Sequence, residues 1–109
     1  MRNSDMSDAH ILFVAKYVID TKGIGRYSDY ARKTRANNLY TVSNPTYYNL
    51  RKAYKERIDD IKNCTYTSAL EIAKQYAGHG NMFALVLTAM RYYMEHGIEE
   101  AKDVPETVV

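Results

Sequence analysis

Between Lys22 and Arg57 nine bases stand against two acids, Asp29 and Glu56, a net charge of +7. Residues 1–21 carry a net −1 and residues 58–109 a net −4, so the overall +2 hides a strong segregation. Segregated charge gives one region a positive potential that attracts polyanions even when the total is small. The same basic block holds six of the eleven tyrosines: Tyr27, Tyr30, Tyr40, Tyr47, Tyr48 and Tyr54. Cations neutralise phosphates and aromatic rings stack on bases, so this mixture has the chemistry of nucleic-acid contact. Exposed rings such as Tyr27, Tyr40 or Tyr48 would extend that contact to RNA or single strands.

Catalytic chemistry is poorly supplied. His10, His79 and His96 fall on three separate elements without metal-ligand spacing. Asp59 and Asp60 are adjacent, and neighbours on a helix point about 100° apart, so they read as a solvated helix end. Gly23-x-Gly25 lacks the rest of a phosphate-loop pattern and reads as a helix cap. Cys64 is the only cysteine, which rules out an internal disulfide and a cysteine-based zinc site; with no paired histidine evident it reads as an inert thiol. The expectation is a protein without enzyme activity, cofactor or metal.

The elements that must position the basic block are helical. A first helix is predicted over about 8–21, capped near Ser7 or Asp8, with Ile11, Leu12, Ala15, Val18 and Ile19 on its apolar face. Gly23 is placed for a left-handed C-cap, with Ile24 folding back on the last turn. A second helix runs from Ser28 to about Asn37. Leu39-Tyr40-Thr41-Val42 reads as a turn, or at most one edge strand. Ser43-Asn44-Pro45 starts a third helix reaching about Lys62, with Tyr47, Leu50, Tyr54, Ile58 and Ile61 on one apolar stripe. Ser68-Ala-Leu-Glu71 is a capping-box pattern opening a fourth helix that ends near Gly78-His79-Gly80. The fifth, from about Asn81 to His96, is apolar on most sides through Met82, Phe83, Leu85, Val86, Leu87, Ala89, Met90 and Met94, and belongs in the middle of a fold or in a subunit contact. Gly97-Ile98 closes it. The fold class is all-α: a compact bundle of about five helices forming one domain over 1–98, followed by an acidic, frayed tail over 99–109.

The stretch from Tyr27 to Ile58 resembles a helix-turn-helix DNA-binding unit, a match over about 32 residues. YSDYARKTRANN stands as the supporting helix, LYTVSN as the turn and PTYYNLRKAYKERI as the recognition helix. Val42-Ser43-Asn44-Pro45-Thr46-Tyr47, followed by Leu50 and Tyr54, is similar to the opening of many recognition helices. The turn departs from the usual short glycine-containing form, so a widened variant is expected. The resemblance implies a third helix lying in the major groove of duplex DNA while the second crosses the backbone. Base-edge contacts then fall to Thr46, Tyr48, Asn49 and Lys52: Asn49 suits adenine, Lys52 guanine acceptors, and Thr46 or Tyr48 a thymine methyl or phosphate. Arg26, Arg32, Lys33, Arg35, Arg51, Lys55 and Arg57 would take phosphates, with Arg51 also in reach of guanine. The implied protein is a small transcription regulator, and a homodimer would enlarge its footprint.

Two other function classes stand beside this one. Arg91-Tyr-Tyr-Met-Glu-His96 resembles the R-x4-H pattern of the HEPN ribonucleases, in which the arginine and histidine of a paired subunit act on RNA phosphate. Tyr92 departs from the small polar residue usual in that family. A protein-interaction module, an inhibitor or adaptor of the kind phages and plasmids encode, is the third class; the fifth helix would then be its partner or dimer contact. MRNSDMSDAH has acids and no apolar run, and the most apolar stretch, Met82 to Met90, is far short of a membrane span. With a single cysteine, these features give the expectation of a cytoplasmic protein with no membrane partner.

Overall fold

In the order of the chain, α1 (Asp8–Asp20), α2 (Tyr27–Ala36), α3 (Asn44–Glu56), α4 (Ile58–Ile61), α5 (Tyr66–Tyr76) and α6 (Asn81–His96) make an all-α bundle, with no strand among the described residues. The structure is a computed structural model and describes residues 8–76 and 81–97. The Ser7 cap, the Gly78-His79-Gly80 turn, Ile98 and the acidic tail lie outside those residues. Among the described residues, no helix is long and apolar enough to cross a membrane.

α6 is the central element. It packs against α1 along its length and also meets α3, α4 and α5. Phe83, Ala84, Val86, Leu87, Ala89, Met90 and Tyr93 are buried, leaving one face of the helix, with Asn81, Leu85, Thr88 and Tyr92, exposed or half-buried. Val14, Ala15 and Val18 of α1, Leu50 of α3 and Ile72 of α5 complete the core. The apolar seam that could have served a dimer is therefore mostly consumed inside the chain. Leu85 alone on α6 stays exposed among its large hydrophobic residues, beside a shallow groove of about 240 Å³ lined with Ile11, Leu12, Thr88, Ala89 and Tyr92.

Local signals set most helix ends. Ser43 caps α3 by accepting from the Thr46 amide, and Pro45 lies in the first turn, where no intrahelical donor is lost. After α1, the Gly23 amide donates to the Val18 carbonyl and the Lys22 amide to that of Ile19. This is a Schellman closure with Lys22 in the left-handed region at φ 55° and Gly23 beside it there at φ 74°. Asn38, at φ 59°, closes α2 in the same way, with Leu39 donating to Thr34. Ile24 points to solvent instead of folding back on α1.

Two boundaries differ from the sequence expectation. The predicted third helix breaks at Arg57, whose φ −126° and ψ 30° leave the helical region, and α4 follows as a separate turn. The break turns Ile61 into the core, while Ile58 is half-buried. The cap of α5 is Thr65, one turn earlier than the predicted box: its Oγ1 accepts from the Ser68 amide at 3.1 Å, and Ser68 Oγ accepts from the Thr65 amide at 2.8 Å. Ser68 thus fills the third helical position, where its hydroxyl does the work of the usual glutamate.

Candidate nucleic-acid interface

α3 turns Thr46, Tyr47, Leu50 and Ala53 inward and Tyr48, Lys52, Lys55 and Glu56 outward. Tyr48, Lys52 and Lys55 follow the i, i+4, i+7 spacing, so they stand on successive turns of one face. With Arg51 and Glu56 they line a depression of about 180 Å³. Three bases against one acid give it a positive potential. A larger hollow of about 680 Å³ near the end of α6 mixes Asp59 and Glu95 with Lys62 and Arg91, and its charges cancel.

Tyrosine hydroxyls fix the geometry behind this face. Tyr47 is fully buried and donates to the Gly25 carbonyl at 2.8 Å. Tyr27 donates to the Val42 carbonyl at 2.8 Å, and the Val42 amide donates to Tyr30 Oη at 3.0 Å. The turn before α2 and the segment before α3 are thereby both tied to tyrosines of these helices. Gly25 is packed tightly as well: a Cβ there would stand 2.7 Å from Thr21 Oγ1 and 2.8 Å from Tyr17 Cε2. Gly23 thus belongs to the helix cap its sequence suggested, while Gly25 serves close packing.

Arg51 was expected at a phosphate, but its Nε donates to the Gly23 carbonyl at 2.8 Å and its guanidinium carbon lies 4.7 Å from the Tyr48 ring centroid. It braces Tyr48 and the α1–α2 turn. The spacing of 48 and 51 on one helix face was the sequence signal for this pair. Thr46, expected at a base edge, is buried, and its Oγ1 accepts from Ser43 Oγ at 3.0 Å; it shares the inward side with Leu50 and Ala53. Asn49 is half-buried at the margin of the outward face, and Lys52 is exposed.

The remaining arginines divide in the same way. Arg57 spans to Asp60 and Gln75, each at 2.6 Å, and the hydrogen bond to Asp60 holds its guanidinium more firmly protonated. These two bonds engage its guanidinium within the chain. Next to it, Tyr76 Oη donates to Glu56 at 2.8 Å. Arg26 and Arg32 both reach Asp29, at 3.7 and 2.9 Å, with exposed side chains that solvent screens. Lys33 and Arg35 are exposed on α2. Of the three tyrosines considered for base stacking, Tyr27 is engaged with Val42 and Tyr40 lies edge-on to His10 with centroids 5.9 Å apart. Tyr48 remains, 42% exposed.

The other chemistry-bearing residues do not converge. Arg91 donates to the Cys64 carbonyl at 3.1 Å and approaches Glu95 at 3.7 Å, whereas His96 sits edge-on to Tyr92. The two ends of the R-x4-H pattern therefore engage different neighbours within the chain. Burial pushes the Cys64 thiol up, away from the reactive thiolate. Burial also pulls His10 below its ordinary value. Among the described residues no group of three or more His, Cys, Asp or Glu could hold a metal ion.

No protein-family model, no curated protein and no solved structure matches this chain, so the reading of its surface rests on its own geometry.

Proposed function

We propose that this protein binds nucleic acid through the outward face of α3. The observation that carries the reading is the exposure of Tyr48, Lys52 and Lys55 on successive turns, around a depression in which bases outnumber acids. Lys33 and Arg35 of α2, together with Arg26 and Arg32, add positive potential to the same segment of chain. Phosphates are the group such a surface attracts most strongly, because binding them releases condensed counterions.

As a DNA-binding regulator, the protein would lay α3 in the major groove. In that pose Tyr48 and Lys52 would meet base edges, with Asn49 at the margin and Thr46 no longer among them, whereas on a single strand Lys52 would take a phosphate. Lys55, Lys33 and Arg35 would take the backbone and set register without reading sequence.

An electrophoretic shift with genomic fragments at two salt concentrations tests the reading. The expected result is retention at low salt that weakens steeply, with a log–log slope of about −0.9 per phosphate contacted. Reversing charge with Lys52→Glu and Lys55→Glu should abolish the shift. Absence of any complex at low salt, or a shift indifferent to both reversals, would defeat the proposal.

A further inference from the structure

We infer that the depression on α3 seats an unpaired nucleobase, stacked on Tyr48, with the flanking phosphates held by Lys52 and Lys55. The inference rests on the nucleic-acid reading and names the form of the ligand.

The Tyr48 ring is held before any ligand arrives. Arg51 lies 4.7 Å from its centroid, and Arg51 is itself anchored on the Gly23 carbonyl at 2.8 Å. Tyr47 meets the ring edge-on, with centroids 5.5 Å apart and planes at 74°. Tyr47 in turn is stacked on Tyr30 and tied to Gly25. The ring thus has one neighbour fixed to the α1–α2 turn and another fixed in the core. A platform braced on two sides loses little rotamer freedom when a base settles on it.

Tyr48, 42% exposed, lines the depression together with Arg51, Lys52 and Lys55. An aromatic face next to two cations of extended reach suits a nucleotide unit, base on the ring and phosphates on the ammonium groups. Tyr66 is a useful contrast. It is exposed to nearly the same extent at 40%, yet its hydroxyl is bonded to Asn81 and the acid Glu71 lies on its helix. Exposure alone does not make a stacking seat; the fixed cation behind Tyr48 does.

Duplex DNA keeps its base faces stacked on one another and offers Tyr48 only an edge. Single strands and unpaired loops present a face, and because every base has one the seat is tolerant of sequence.

The test uses the whole chain and one fluorescently labelled oligothymidine, alone and annealed to oligoadenine, at equal ionic strength. Anisotropy should give several-fold tighter binding to the single strand. Tyr48→Ala should weaken single-strand binding about tenfold, within the range found for loss of one stacked base, and leave the salt slope unchanged. Tyr48→Phe should bind like the parent, and Lys52→Ala should reduce the salt slope by about one phosphate. If the duplex binds as tightly, or Tyr48→Ala has no effect while Lys52→Ala does, the stacking seat is wrong and the nucleic-acid reading survives. If Tyr48→Phe fails as Tyr48→Ala does, the ring is not what binds. Failure of both oligonucleotides to bind overturns the seat together with the reading beneath it.

Discussion

The ring of Tyr30 lies flat against that of Tyr47, with centroids 4.8 Å apart and planes within 10° of parallel. One comes from α2 and the other from α3, and each sends its hydroxyl to backbone at the far side of the pair. Tyr47 holds Gly25 and Tyr30 holds Val42, so the turn before α2 and the segment before α3 are both fastened by phenols.

The tyrosine pair should therefore behave as structure. Tyr30→Phe strands the buried Val42 amide, and Tyr47→Phe strands the Gly25 carbonyl; each should cost about 1–3 kcal/mol in urea unfolding. Either residue replaced by alanine should cost about 3–5 kcal/mol, because a ring-sized cavity is added to the lost bond. Phenylalanine variants as stable as the parent would show that these hydroxyl bonds contribute nothing.

Stability should fall on the alkaline side. Burial pushes Tyr30 up to about 12 and raises Tyr47 as well, both from an ordinary 10. A raised phenol favours the fold while neutral. Its contribution is complete below pH 10 and is lost as pH climbs from there toward 12. Phenolate absorbance followed alongside far-ultraviolet circular dichroism should show a late ionisation step coinciding with loss of helix. Complete ionisation of all eleven tyrosines with the helix signal intact would contradict the burial of this pair.

Lys22 occupies the left-handed region at φ 55°, where a side chain costs roughly 1–2 kcal/mol relative to glycine in the folded state. Lys22→Gly should raise the urea midpoint, by less than that strain because glycine is also freer when unfolded. Asn38→Gly, at φ 59°, should help less, since asparagine tolerates this conformation better than lysine. A lower midpoint for Lys22→Gly would mean that the lysine stem makes contacts worth more than the strain.

Arg57 and Lys52 separate structure from binding. Arg57→Ala breaks the bonds to Asp60 and Gln75 and should leave the salt slope of nucleic-acid binding unchanged. Lys52→Ala, at an exposed position, should lower that slope by about one phosphate while leaving the unfolding midpoint near its parent value. The same slope change from both variants would put Arg57 back among the phosphate contacts.

The all-α class, the extent of α6 and the outward face of α3 were legible in the chain because they depend on near neighbours. Hydrophobic period, Ser43 before Pro45, and Gly97 after His96 act within a turn or two of the residues they organise. The helix break at Arg57 and the fates of Thr46, Arg51 and Tyr27 were not legible. Each is settled by a partner or a packing surface from elsewhere in the chain. Arg51 finds a carbonyl 28 residues away, and Tyr47 one 22 residues away, across helices whose relative placement no local pattern encodes. Composition placed cations and tyrosines in one block; tertiary packing decided which of them face water. A charged or aromatic side chain is available to a ligand only where the fold has not already provided it with a partner.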